Sequence, residues 1–594
     1  MALPNLLSTR VGRLAAFFFL YVTEGIPLGF AATAVATQMR RQDVGPAAIG
    51  AFVATYYLPW AFKWAVGPFV DVFSSNRWGR RRGWIVGTQI FMALTLLGAV
   101  FIKLPEQLWL FTIVLLVHNT FGATQDVAID ALACNTLRDD ERGLANGLMF
   151  GGAYLGQAVG GAGVLLITPY VGFQATFFLV AAAILCVTIF VALPMREVPT
   201  PAPLEAGGAR LAAAGRAIRQ FGEETFRSFV GTRGAFLSLF LALLPPGAMC
   251  LGLALQSNLA VELGMDDNAV GRLSGLSAIL SAVFCALGGF LSDRLGRRRT
   301  LFTYIALLGL PVLWLSTVLH HYNWIMPVSV TAADRPVVPP GLLTAFWIAS
   351  MVYAVFQGLM YGTRTAQFMD VTNPAVAASQ FTAYMALLNL TIAYSSTWQG
   401  IAIESWGYPV TLTVDAIFGA VCLLIIPLLQ KPDFSTGRIA DASAVFRARG
   451  LAAGLSVLCL SWFVWNGLAH TGSALEPIAG TYFTLVFIGS AVFLLAGSPF
   501  IAAERPALAR FGVALAPFLM AMHLRYYTDK LGGWLGMPPD GLLFKAYGTV
   551  VPLAAAVVLA AYALGKWESL TRTVEPAAPS LPGPGAGIPE AAPL

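Results

Sequence analysis

Charge is what this sequence has least of. Asp, Glu, Lys and Arg together make 11% of its 594 residues, against roughly a quarter in soluble domains. That excludes a large water-soluble body, and with 57% hydrophobic residues it points to a chain threaded repeatedly through a bilayer. Cysteine is scarce too. The six (Cys134, Cys186, Cys250, Cys285, Cys422, Cys459) stand singly in or near apolar runs, with no spacing that suggests a disulfide framework or a metal site. No Gly-x-x-x-x-Gly-Lys-Ser/Thr loop occurs, so ATP drive within this chain is not expected. No cofactor or metal is expected. The net charge of +6 reads as a topology signal, and no nucleic-acid partner is expected.

What the chain does have is apolar runs near 20 residues long, enough to cross about 30 Å of hydrocarbon as helix. Barrel strands would be half that length and would alternate, so an all-α polytopic bundle is the expected fold class. Arg10 and Arg13 precede the first run, about 14–37. This start mimics a signal peptide, but Glu24-Gly25-Ile26-Pro27 in mid-run suits a broken spanning helix better. Further spans are expected near 47–70, 83–102, 108–131, 143–168 and 173–194, and six more near 234–260, 270–292, 300–319, 341–362, 376–402 and 408–430. Shorter runs near 450–468, 478–498, 508–523 and 544–565 bring the expected count to sixteen, or fourteen if two of these re-enter or fuse.

These runs divide the chain into an N-terminal six-helix bundle (1–194), a linker (195–233), a C-terminal six-helix bundle (234–432), accessory membrane helices (433–572) and a tail (573–594) expected to be disordered. In the linker, Leu211, Ile218, Phe221 and Phe229 recur at helical spacing among arginines, the pattern of a surface helix on the cytoplasmic leaflet. With the N-terminus inside, most of the 36 Lys and Arg residues fall on cytoplasmic connections. Arg40, Arg41, Lys103, Arg272, Arg335, Arg525, Lys530 and Lys545 fall outside. The bias makes both termini cytoplasmic.

Against this apolar background the in-span ionisable groups stand out. The fourth run turns polar at His118-Asn119-Thr120 and continues through Gln125-Asp126 to Asp130. Asp126 and Asp130 are four apart and share one helix face. Asn119 and Gln125 lie within about a turn of that face. An acid at the bilayer centre costs roughly 2.5–3.5 kcal/mol, so two on one face imply a wet cavity or a basic partner. The alternative is a structural network near a helix end. Lys63 in the second run can pair with Glu24 or with an acid of the fourth, or meet an anionic substrate; alternatively it snorkels. Glu24 is read as a proton carrier or substrate contact, or as a partner of Lys63 alone. Arg364 in the tenth run suits a carboxylate or phosphate, or pairs with Glu404 or Asp370. Asp415 reads as structural. Tyr56, Tyr57, Trp60, Trp64 and Tyr154 can stack on sugar rings, though packing is the commoner use.

A signature repeats six spans apart. Gly67-Pro68-Phe69-Val70-Asp71 is followed by Gly79-Arg80-Arg81-Arg82, and Gly289-Phe290-Leu291-Ser292-Asp293 by Gly296-Arg297-Arg298-Arg299. The repeat indicates two duplicated halves. Gly67 and Gly289 allow close helix approach. Asp71, Arg80, Arg81, Asp293, Arg297 and Arg298 are the expected members of a charge lock at the cytoplasmic ends; a bare topology signal would explain the arginines but not the paired Gly-x-x-x-Asp.

This pattern resembles the major facilitator superfamily over roughly residues 10–432. A closer similarity is to the peptide–acetyl-CoA transporter family, in particular its AmpG-type muropeptide permeases. It is carried by Glu24-Gly25-Ile26-Pro27-Leu28, Lys63-Trp64-x-x-Gly67-Pro68-x-x-Asp71, Gly79-Arg80-Arg81-Arg82-Gly83-Trp84, Thr124-Gln125-Asp126-x-x-x-Asp130, Glu141-Arg142-Gly143, Met369-Asp370-x-Thr372-Asn373-Pro374 and Ser379-Gln380-Phe381. Glu24 stands where these permeases often carry a small residue, and four C-terminal spans exceed their pattern. The resemblance implies proton-coupled import of GlcNAc-anhydro-MurNAc peptides across the bacterial inner membrane for wall recycling. Acetyl-CoA-like molecules or siderophores are the runner-up solutes. A membrane enzyme using His470 or His523, and a sensor that has lost transport, are the competing classes; the last four runs, which carry those histidines and Arg525, read as an accessory bundle.

Overall fold

The computed structural model describes residues 5–73, 79–138, 142–197, 207–332, 335–373, 376–432, 440–467, 475–522 and 542–571. The tail 573–594 and the residues His470, His523 and Arg525 lie outside them, as does the side chain of Asp71. Among the described residues helices stand at all sixteen expected places and there is no strand. Eleven of the described helices are long and apolar enough to cross a membrane, or twelve if the bent pair Gly215–Gly231 and Arg233–Leu243 is one span. One of these, Gln380–Leu428, has 49 residues, about 73 Å as a straight rod and more than twice the hydrocarbon thickness. It folds back at Gly407, whose φ of 79° suits only a residue without Cβ. Trp398 and Phe418 then meet with ring centroids 6.3 Å apart, so this stretch is spans eleven and twelve.

The first span runs unbroken from Arg10 to Arg41, which corrects the break expected at Pro27. Pro27 removes one backbone donor without ending the helix, which widens into a π turn at Phe30–Val35. Span seven, expected as one helix over 234–260, is broken, and Pro245-Pro246-Gly247 marks the place. It divides into Arg233–Leu243 and Ala254–Glu262, because Pro245 and Pro246 cannot donate and Gly247 takes φ 85°. Span two is also segmented: Pro46–Ala61, a 3-10 turn Lys63–Ala65, then Gly67–Val72. Pro59 lies just ahead of the break.

Glycine sets the helix spacing. In the N-terminal half, spans one and five approach so closely that a Cβ on Gly156 would fall on Val22 O and Gly25 Cα, and one on Gly160 on Ile26 O. In the C-terminal half Gly288 and Gly358 do the same for spans eight and ten. Between the halves, Gly50 of span two lies against Ser396 O of span eleven, and Gly400 against Pro46 O. Small residues allow such backbone approach where apolar lipid offers helices little drive to associate.

The linker forms the expected helix, Gly207–Gly231, and bends by 107° into Arg233–Leu243. Its apolar face packs largely on protein instead of lying free for the leaflet: Phe221 stacks on Trp64, Phe226 on Trp567, and Phe229 meets Tyr384 edge-on. The C-terminal helices Ala444–Gly467, Leu475–Ala502, Pro506–Ala521 and Leu542–Ala563 share a core of their own, including Phe487, Leu494, Leu519, Leu559 and Trp567.

Gly156→Val should force spans one and five apart. Overpacking of this kind costs about 1–3 kcal/mol, and the expected result is a shorter half-life of the detergent-purified protein on heating, with Gly151→Ala, where a Cβ meets nothing within 4 Å, near wild type.

Candidate functional site

Spans one, two and four bring together the acids and the lysine singled out above. Lys63 sits in the 3-10 turn of span two, a buried position that the Pro59 break makes reachable. Its Nζ donates to Asp126 Oδ2 at 2.5 Å. Of the partners expected for it, Asp126 is therefore the direct one. Asp130, one turn on, accepts a hydrogen bond from Tyr21 OH at 2.6 Å. Glu24 lies within electrostatic reach of Asp126, Asp130 and Lys63, and its Oε1 is buried with no hydrogen-bond partner. Lys63 also lies 5.9 Å from the Trp60 ring centre. Three carboxyl groups thus share one lysine in a water-poor place. Such a set holds together only while charges and protons balance, since an unpaired buried charge is costly.

Asn119 and Gln125 take other places. Asn119 Nδ2 donates to Tyr56 O at 3.0 Å, tying span four to span two near Pro59. Gln125 Nε2 donates to Thr23 Oγ1 at 2.9 Å. Gln89 joins the same hydroxyl at 3.3 Å and accepts from Thr188 Oγ1 at 2.8 Å. This buried chain links spans four, one, three and six and fixes the helix that carries Asp126.

In the C-terminal half Arg364 is buried, and its partners are backbone. Nη2 donates to Leu241 O at 2.7 Å and Leu244 O at 3.2 Å, the last carbonyls before the break in span seven. A cation at a helix C-terminus is favoured by the helix dipole. Arg364 Nε has no partner. Neither suggested acid is its mate: Glu404 accepts from Ala47 N at 2.9 Å, and Asp370 pairs with Arg297 at 2.6 Å. Asp415 caps the other side of the break, accepting from Met249 N at 2.6 Å, Cys250 N at 2.9 Å and Gln399 Nε2 at 2.8 Å. Tyr361 of span ten lies within electrostatic reach of Tyr57 and Tyr154 of the other half. Tyr361 of the C-terminal half thus lies near one tyrosine of span two and one of span five.

The repeated signature makes its described contacts inside each half. Arg297 pairs with Asp293 at 2.9 Å as well as with Asp370, and Arg298 donates to Leu429 O. In the first copy Arg81 Nη1 donates to Val70 O at 3.0 Å, and the amides of Arg81 and Arg82 donate to Glu197 at 2.8 and 2.6 Å. Gly289 has open space where a Cβ would stand, and Gly67 touches only Val127 at 4.0 Å.

Among the described residues, the charges that join the two halves lie at the opposite end; of these the sequence marked only Arg40 and Arg41, as exceptions to a topology rule. Arg40 pairs with Glu262 at 2.8 Å, both almost wholly buried. Glu262 also accepts from Tyr408 OH at 2.6 Å and Val328 N at 3.1 Å. Arg41 pairs with Asp267 at 2.6 Å. Asp43 accepts from Ser329 Oγ and, at 3.2 Å, from Val330 N. Those bonds, the Ser329 hydroxyl foremost, hold the Asp43 carboxyl below its ordinary pKa. No short motif marks these pairs; a long-range charge match between connections was the only available signal.

Arg40→Ala leaves Glu262 buried and unpaired, a loss of about 3–5 kcal/mol by the usual cost of breaking such a pair. Thermal inactivation of the purified variant should be much faster than wild type. The double replacement Arg40→Met with Glu262→Leu, which removes both charges, should recover much of the difference.

Comparison with known proteins now adds to this geometry. The Major Facilitator Superfamily model matches residues 14–249. The "Anhydromuropeptide permease" of Escherichia coli (strain K12) is 25% identical over 468 residues, 75% of this chain and 87% of that protein. The "Putative transporter AmpG 4" of Rickettsia conorii is 29% identical over 185 residues, 30% of this chain and 44% of that protein. Among solved structures, a D-xylose–proton symporter aligns with TM-score 0.52 and 12% identity over 71% of this chain and 98% of its own. A POT family transporter in complex with 5-aminolevulinic acid aligns with TM-score 0.52 and 13% identity over 72% and 96%. The chain is a multi-pass membrane transporter with the major facilitator fold, and it resembles the AmpG-type permeases.

Proposed function

We propose that this transporter imports anhydro-muropeptides, or a closely similar sugar- and peptide-bearing anion, across the bacterial inner membrane, driven by protons and with both termini in the cytoplasm. The observation that carries the reading is the Glu24, Lys63, Asp126 and Asp130 cluster on spans one, two and four. Protonation of Asp126 frees Lys63 for an anionic substrate group. Protonation of Asp130 changes its bond with Tyr21. Each step alters how much charge a closed site must hold, which links proton uptake to rocking of the halves. The tyrosines 57, 154 and 361 suit a hydroxylated ring between the bundles. The name of the Escherichia coli relative supports the substrate.

In this structure the outer ends are drawn together by Arg40–Glu262, Arg41–Asp267 and the Gly50 and Gly400 contacts. These must part for a solute to enter from outside. Arg40 and Glu262 are thus assigned to the outer gate, and the arginine signatures to bracing each bundle.

The test is uptake of labelled anhydro-muropeptide into membrane vesicles. Asp126→Asn at normal membrane level should reduce the initial rate at least about tenfold, the effect of some 1.4 kcal/mol. A protonophore should collapse accumulation in wild type. Uptake indifferent to the gradient would overturn proton coupling, and wild-type uptake by Asp126→Asn would remove the cluster from the mechanism.

A further inference from the structure

The accessory bundle has no place in the transport cycle described so far, yet one helix connects it to the turn that carries Lys63. The linker helix Gly207–Gly231 is held at its C-terminal part. Phe226 sits among Phe493, Phe500 and Trp567 of the accessory bundle, with ring centroids 5.4–5.7 Å away. Arg227 donates to Ser569 O at 3.2 Å and lies over the Phe500 ring at 5.3 Å. Arg447 donates to Val230 O at 2.7 Å and Gly231 O at 2.8 Å, and Asp441 N donates to Gly231 O at 2.9 Å. The C-terminal half adds Tyr384 of span eleven, 4.8 Å from Phe229 and stacked in turn on Phe368 of span ten.

One turn and a half before Phe226 the same helix reaches the other half. Phe221 lies flat on Trp64, with centroids 5.8 Å apart and planes 8° from parallel. Trp64 belongs to the three-residue turn Lys63–Ala65, whose first residue holds Asp126. That turn is joined to the rest of span two by breaks on both sides, so it can shift without dragging a whole helix.

We infer that Phe221 is a positioning residue for the Lys63 turn and that the accessory bundle, by gripping Phe226, holds it there as a strap across the end of the halves that carries the arginine signatures. Opening that end requires the Phe221–Trp64 stack to part. The accessory helices therefore bias the equilibrium between closed and open forms of that end without touching the solute.

The test needs no substrate, so its result stands apart from the import reading. The full chain, with its six native cysteines replaced, carries spin labels at Arg138→Cys and Leu295→Cys, near the ends of spans four and eight on that side. Label separations are measured by pulsed dipolar spectroscopy in lipid nanodiscs. Phe221→Ala should raise the ratio of long to short separations by about two- to tenfold, the size expected for loss of one aromatic stack. Phe221→Tyr, which keeps the ring, should restore the wild-type distribution. Phe226→Ala should shift it in the same direction while Trp64 and Phe221 remain intact. An unchanged distribution in Phe221→Ala, or a shift that Phe221→Tyr fails to reverse, overturns the strap. A wild-type distribution in Phe226→Ala overturns the role of the accessory bundle.

Discussion

A carboxylate inside a bilayer needs a counter-charge, a hydrogen-bond donor or a proton, because neither lipid nor an apolar helix face can replace its water. Much of the architecture answers to that requirement. Asp126 has Lys63, Asp130 has Tyr21, Glu262 has Arg40 and Tyr408, and Asp415 has two backbone amides and Gln399. Among the described residues Glu24 departs from this pattern. One oxygen of Glu24 has no partner, and it sits beside the one lysine that three acids share. A place where charge is left short of partners is where a proton or a charged solute has most effect.

The backbone obeys the same rule. Where prolines interrupt span seven, the freed polar groups are met by side chains: Arg364 takes the end of its first segment and Asp415 the start of the next. In span two Asn119 donates to the Tyr56 carbonyl just ahead of Pro59. Interrupted helices are tolerated in membranes only where neighbours satisfy them in this way. Each interruption is also a place where the chain can bend, so the polar groups that stabilise a break also decide how it moves.

The two ends of the molecule are held by different means. Buried ion pairs and bare-glycine contacts join the halves at one end. At the other, the arginine signatures brace each bundle separately, and an aromatic stack from the linker helix reaches across. Ion pairs are sensitive to pairing and protonation, aromatic stacks chiefly to geometry. Such a division lets charge act on one end while packing sets the balance at the other.

Composition and run length determined the class of molecule, because a bilayer imposes a length and an apolarity on any helix that crosses it. The spacing of Asp126 and Asp130, the isolated Lys63 and the repeated Gly-x-x-x-Asp could likewise be read directly, since charge in a span and duplication are local facts. Tertiary structure decided the partners. Which acid takes Lys63, that Tyr21 serves Asp130, that Arg364 caps a helix end, and that Arg40 meets Glu262 some 220 residues away all depend on how helices rotate and approach. Glycine contacts and proline breaks distributed over the whole fold set those rotations, and no single stretch of sequence contains them.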